Sequence, residues 1–170
     1  QEYIRLVAPV DTLTVLIRGA SGTGKEYVAR QLHALSERAD APFVAVDCGA
    51  LPKDLAASEL FRHMKGAFTG AAEDKTGMFA AANHGTLFLD EVGNLNVEVQ
   101  MLLLRALQEK CYRPVGGKTE VRADIRLLAA TNENLEKAIA EGRFREDLFH
   151  RLNEFPLRVP LLAECPDDII

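Results

Sequence analysis

With 170 residues, 48% of them hydrophobic and 26% charged, the chain has the balance of a globular domain and can bury one substantial core. A formal net charge of −5 and a pI near 5.4 argue against a basic face that clamps nucleic acid. Cys48, Cys111 and Cys165 lie far apart without CxxC spacing, and no run of 18 apolar residues or signal-peptide pattern is present, so a cytoplasmic segment with reduced thiols and no membrane contact is expected.

The chain opens on QEYIRLVAPVDT, which carries no evident cap, and Leu13–Gly19 reads as a buried strand ending in glycine. Directly after it comes Gly19-Ala20-Ser21-Gly22-Thr23-Gly24-Lys25, a GxxxxGK loop between a strand and a helix. Its glycines let backbone N–H groups turn inward around phosphate oxygens, and Lys25 reaches the β- and γ-phosphates. A plain glycine-rich turn with a solvated lysine is the alternative. The hydroxyl residue usually found after the lysine is Glu26 here, which leaves Mg²⁺ to another carboxylate and to water. The helix that follows, KEYVARQLHALSER, sets Val28, Leu32 and Leu35 on one face.

PFVAVDC is a second strand, and DLAASELFRHM a short helix with Leu55, Leu60 and Phe61 apolar. Next stands KGAFTGA, in which Phe68 is the one large apolar side chain between Gly66 and Gly70. A misplaced core contact and a working surface are both open for it. GTLFLDE is a third strand whose carboxyl end carries Asp90 and Glu91. After a phosphate loop, Asp90 can hold Mg²⁺ and Glu91 can polarise an attacking water, which favours hydrolysis over transfer to a second substrate; alone, the pair would be a solvated strand end.

NVEVQMLLLRALQEK is an amphipathic helix with Val99, Leu102, Leu103 and Leu107 inward. ADIRLLAATN is a fourth strand, ending on Thr131 and Asn132, which lie beside the γ-phosphate on this reading; by itself, Asn132 could equally cap the next helix. NLEKAIAEG is a helix closed by glycine, and EFPLRVP a fifth strand. Continuous apolar strands alternating with helices predict a parallel sheet covered on both faces, with ligands outside the carboxyl ends of its strands. The chain stops at CPDDII as a new apolar run begins, the pattern of a fragment of a longer protein.

With GASGTGKE, GAFTGA, GTLFLDEVGNL, AATN and GRFREDLFHRLNEFPLRVPLL in order, the chain resembles from residue 1 to 170 the central AAA+ ATPase domain of bacterial enhancer-binding proteins, the NtrC-type activators of sigma-54-dependent transcription. The resemblance implies a three-layer αβα P-loop NTPase core with a five-stranded parallel sheet, cut before the helical lid and the DNA-binding domain. It implies ATP and Mg²⁺ as ligands, Asp90 and Glu91 as the Walker B pair, and Thr131 and Asn132 as sensor I. Arg145 and Arg151 fall at the positions of arginine fingers, donated to a neighbouring subunit, and a finger given in trans requires a ring, usually a hexamer. Without the resemblance, both arginines read as surface ion pairs in RFREDLFHR. Gly66, Ala67, Phe68, Thr69, Gly70 and Ala71 become the loop that contacts sigma-54 in the RNA polymerase holoenzyme, and DNA is bound only by a domain beyond this segment.

Several positions depart from the family pattern. Asp47 stands where an asparagine usually restrains the Walker B glutamate, and a carboxylate there would repel Glu91. Arg62 replaces a glycine and Met64 a glutamate just before GAFTGA, and PLLAEC stands in place of PLRER. A remodelling motor of another AAA+ clade and an ATP-binding regulator with little turnover are the rival readings; GAFTGA argues against the first, and the full set of Lys25, Asp90, Glu91 and both arginines against the second.

Overall fold

The computed structural model describes residues 1–71, 76–161 and 164; Cys165 and most of the PLLAEC stretch lie outside them. Five parallel strands form one sheet: β1 (Val15–Arg18), β2 (Phe43–Asp47), β3 (Thr86–Asp90), β6 (Arg126–Thr131) and β7 (Phe155–Arg158), in the order β2-β3-β6-β1-β7. The three inner strands are almost continuously apolar because both of their faces are covered. The outer strands alternate instead, and Pro156 sits on the edge strand β7, where a missing N–H is tolerated.

Alternation along the inner strands divides the core in two. Val15, Ile17, Phe88, Leu128 and Ala130 pack with α1 (Glu2–Val7) and α2 (Lys25–Ala34) through Val7, Ala8, Ala29 and Leu32. The opposite face, with Leu16, Leu87, Leu89, Leu127 and Ala129, meets α3 (Ala56–Phe61), α4 (Met78–Ala81), α5 (Val97–Glu109), α6 (Leu135–Ala140) and α7 (Glu146–Leu152). The expected three layers are therefore present. Each large side chain fully buried here, Leu103 or Leu148 for example, contributes about 1.5–3 kcal/mol of transfer free energy.

The helix boundaries follow local chemistry. Asn96 caps α5 by accepting the Val99 N–H at 2.9 Å, and Asn134 caps α6 by accepting from Lys137 at 3.0 Å. Helix α3 is shorter than its apolar pattern predicts. It stops at Phe61 because Arg62 turns to φ 75°, ψ 156°, a conformation that suits glycine. Several short elements escape the periodicity reading: α1, α4, α7, a 3-10 turn at Val92–Asn94, and a hairpin of two-residue strands, β4 (Cys111–Tyr112) and β5 (Val121–Arg122).

One buried charge joins the layers. Arg126, at the start of β6 and 1% exposed, donates to the carbonyls of Ala8 at 2.7 Å and Val7 at 3.0 Å, the C-terminal end of α1. Burial lowers its pKa, and its Nε has no partner. Among the described residues no helix is long and apolar enough to cross a membrane.

Candidate nucleotide site

The loop between β1 and α2 is built for close approach. Gly22 and Gly24 take φ of 78° and 80°, a left-handed backbone that turns successive N–H groups to one side. A Cβ on Gly19 would lie 2.7 Å from Thr23 Oγ1 and 2.9 Å from the Val159 carbonyl, so only glycine fits there. Thr23 Oγ1 donates to Ala20 O at 2.8 Å and braces the turn. Helix α2 starts on Gly24 with no side-chain cap, which leaves its N-terminal N–H groups directed at the loop.

Lys25 is the buried cation of this cradle. Only 6% exposed, it donates from Nζ to Gly19 O and Ala20 O, both at 3.0 Å, and stands 3.6 Å from Glu91 Oε1. An ammonium folded under the rim of a glycine loop can turn to phosphate oxygens without moving its backbone. Glu26 points away to solvent, where it pairs with Arg30 at 2.8 Å one helical turn on.

The carboxylates converge at the ends of β2 and β3. Asp90 and Asp47 are register partners, and Asp90 Oδ1 accepts the Glu91 N–H at 2.9 Å. Burial first, then the Glu91 charge, raises the Asp90 pKa above its ordinary value; Lys25 opposes this and Asp47 adds to it. The neighbouring Cys48 thiol is pushed up to about 12 by burial and by the same three carboxylates. The Asp90 carboxylate is a hard oxygen donor of the kind that suits Mg²⁺. Asp47 itself is tied by Oδ1 to the Gly49 N–H at 2.9 Å, so its repulsion falls on Asp90 and Cys48.

Glu91 has φ 52° and ψ 50°, left-handed for a non-glycine residue. Two contacts hold its carboxylate there: the Lys25 ammonium on Oε1, and the Asn132 backbone N–H on Oε2 at 3.2 Å. The Asn132 side chain donates to Ser21 Oγ at 2.8 Å. Asn134, not Asn132, caps α6. Thr131 is buried; its hydroxyl accepts from Glu133 N at 3.0 Å and its carbonyl accepts from Gly19 N at 3.3 Å. Residues from the loop after β1, the end of β3 and the end of β6 are thus joined by direct contacts.

The two arginines stand apart from this cluster. Arg145 precedes α7 and forks onto Asp147 at 3.0 and 2.8 Å, while its backbone N–H donates to Gln100 Oε1 at 2.8 Å. Arg151, near the other end of α7, pairs with Glu154 and reaches Leu107 O at 3.5 Å. It lines a groove with Thr14 and Arg126, at the opposite end of the sheet from Lys25. Both are ion-paired within the chain in this structure.

The GAFTGA segment forms a closed turn. Gly66 N–H donates to Ala71 O at 2.8 Å and Ala71 N–H to Phe68 O at 3.1 Å, with φ of 79° at Gly66 and 95° at Gly70. Thr69 is exposed, Ala71 buried, and Phe68 half-buried with its ring 4.9 Å from His63 in edge contact. The base of the turn is laced to the β4–β5 connection. Met64 N–H donates to Val115 O and Val115 N–H to Arg62 O, while Ala67 lies so close that a Cβ on Gly116 would be 2.8 Å from its methyl. Sequence patterns missed this companion loop, and missed Gln100 and Arg18. The Arg18 guanidinium pairs with Glu136 and lies 5.4 Å from the Phe149 ring centroid.

A parallel sheet with a glycine-lined phosphate cradle after β1 and acids after β3 defines a P-loop NTPase. The P-loop NTPase domain of a sigma-54 transport activator from E. coli has this fold, with a TM-score of 0.62 at 22% identity over 95% of this chain and 92% of that one. The family model of the sigma-54 interaction domain matches residues 1–158, and the chain belongs to that family. The DNA-binding transcriptional regulator NtrC of Rhizobium meliloti is 52% identical over 99% of this chain and 35% of its own length. NtrX from Brucella abortus, solved in complex with ATP, superposes with a TM-score of 0.87 at 42% identity, over 95% of this chain and 34% of that one. The chain spans about a third of the length of the curated relatives it matches.

Proposed function

We propose that this chain is the ATP-hydrolysing module of a sigma-54-dependent transcriptional activator, the α/β part of an AAA+ domain that in the full protein continues into a helical lid and a DNA-binding domain. One observation carries the proposal: the contacts that join Ser21 and Lys25 of the phosphate loop to Glu91 and Asn132. The ATP complex of NtrX, at 42% identity, supports ATP as the nucleotide.

The phosphates lie on the N–H groups of residues 19–25 and at the start of α2, with Lys25 on the β- and γ-oxygens. Asp90 is the residue to hold Mg²⁺, which would neutralise phosphate charge. Glu91 takes the proton of the attacking water, and Asn132 orients its carboxylate through the backbone N–H. Turnover requires a second cation opposite Lys25 to stabilise the charge that builds on the γ-phosphate. Arg145 or Arg151 of an adjacent subunit supplies it, which makes a homo-oligomeric ring, hexameric in this reading, a requirement of turnover. The turn at Gly66–Ala71, moving with the β4–β5 connection to which it is laced, contacts sigma-54 in the holoenzyme. A cytoplasmic location follows from that partner.

The test is to trap the full-length protein with an ATP transition-state mimic and score binding to sigma-54. Binding only in the trapped state is expected. Turnover of ATP without sigma-54 binding in any nucleotide state would reject the activator assignment.

A further inference from the structure

Gln100 is a polar side chain with no solvent exposure, on the inward face of α5. An amide buried so deeply costs stability unless its groups are paired, and here the pairing is informative. Its Nε2 donates to Leu95 O at 2.8 Å and to Arg143 O at 2.9 Å, and its Oε1 accepts the Arg145 N–H at 2.8 Å. All three partners are backbone atoms of other segments. Leu95 follows the short 3-10 turn Val92–Asn94 that begins at Glu91, while Arg143 lies in the bend before α7 and Arg145 is the extended residue at its N-cap.

The Arg143 and Phe144 N–H groups donate to Ala138 O at 2.9 and 3.3 Å and tie the first part of the segment leading into α7 back to α6, whereas the Arg145 N–H is held by Gln100. Helix α7 has no side-chain N-cap hydrogen bond, and between the two bonded arginines Phe144 is buried in the core. The guanidinium of Arg145 is aimed by Asp147, but its Cα is placed by Gln100 on one side and Phe144 on the other. A single amide therefore ties the turn behind the water-activating carboxylate to the residue that offers a guanidinium outward.

We infer that Gln100 is a positioning residue for Arg145: it fixes where the guanidinium is presented to the neighbouring subunit, by holding residues 143–145 against the turn after Glu91. The inference rests on the reading that Arg145 acts in trans. Gln100→Met keeps the volume and leaves Leu95 O, Arg143 O and the Arg145 N–H unpaired. The Arg145 backbone, beyond the last bond to Ala138 O, then drifts, and a displacement of about 1 Å in a catalytic group can cost about a hundredfold in rate.

The experiment mixes variants of the full-length protein and measures ATP turnover. Lys25→Ala cannot use nucleotide but keeps its guanidinium to give; Arg145→Ala holds nucleotide but has none to give. Mixed, the two should restore turnover. Adding Gln100→Met to the Lys25→Ala donor is expected to lower that restored rate by about tenfold or more. Adding it to the Arg145→Ala acceptor, where the lost amide bears only on the turn after Glu91, should lower the rate clearly less than adding it to the donor. That acceptor arm also reports whether the variant folds. Gln100→Leu, which also lacks both the amide donors and the acceptor oxygen, carries the same comparison if Gln100→Met does not fold. An undiminished donor, or equal loss in both arms as for a merely structural residue, overturns the inference. If the two single variants never complement, the trans reading of Arg145 fails instead.

Discussion

At the residue scale the site is a balance of one buried cation against clustered carboxylates. Lys25 meets Glu91, while Asp90 is pressed between Glu91, Asp47 and a desolvating wall. Lys25→Ala removes the charge that phosphates require, and binding of a fluorescent ATP analogue should be lost. Glu91→Gln keeps the shape and the Asn132 contact, so nucleotide still binds while turnover falls by about 10²–10⁴-fold. A Glu91→Gln protein that hydrolyses normally would refute the water-activating role. Asp90 gives a second, opposite pair of effects. Its raised pKa means the folded protein binds the proton more tightly than the unfolded chain does. Its contribution is therefore favourable at low pH and becomes a cost as pH rises above the unfolded value. At neutral pH without Mg²⁺ or nucleotide, Asp90→Asn should raise the melting temperature while it lowers Mg²⁺-dependent turnover. A fall in melting temperature would contradict the strain assigned to this carboxylate.

At the element scale the backbone, more than the side chains, sets the loop that precedes GAFTGA. Arg62 occupies φ 75°, ψ 156°, a region costing about 1–3 kcal/mol for a residue with a Cβ. Glycine there relieves that strain and gives back about 0.5–1 kcal/mol in unfolded-state entropy. Arg62→Gly should stabilise by about 1 kcal/mol, or about 2–4 °C in melting temperature. Gly77 packs onto the same bend: a Cβ would lie 2.3 Å from Arg62 N and 2.6 Å from Leu60 O. Gly77→Ala is expected to destabilise by about 1–3 kcal/mol, read as a lower urea midpoint at unchanged slope. The backbone at position 62 is thus one that glycine fills without strain and arginine does not. The five strands and α2, α5 and α6 were legible because parallel strands buried on both faces and one-sided helices leave different periods. Helix α7 was not, although Leu148, Phe149 and Leu152 carry its apolar stripe, because charged residues crowd the same seven positions. Strands of two residues, β4 and β5, have no period to read. In the site, residue types pointed to Lys25, Asp90, Glu91 and Asn132. The Gln100 bonds were illegible because their partners are main-chain atoms, which sequence does not distinguish.

At the scale of the whole molecule, stability and acid sensitivity meet in α2. His33 lies in the core layer under the sheet, its Nδ1 2.8 Å from Thr86 Oγ1 and its Nε2 3.1 Å from Ala41 O. Burial lowers its pKa below the ordinary value near 6.5. The unfolded chain therefore takes up the proton first, and stability is lost as pH falls through about 6.5 toward the folded value. The urea midpoint should drop between about pH 7.5 and about pH 5.5, and His33→Gln should flatten that slope. An unchanged slope would mean that other groups dominate. The same layer contains Arg126, whose guanidinium rests on the last carbonyls of α1. Hydrogen bonds to a charged group contribute about 1.5–3 kcal/mol each, so peeling α1 from the sheet strips an ion of its acceptors inside apolar surroundings. Arg126 is the foot of strand β6, and Thr131, beside Asn132, is its head. A mechanical load applied to α1 is thus borne at one end of a rod whose far end is bonded to the phosphate loop, so α1 is a handle on the glycine cradle.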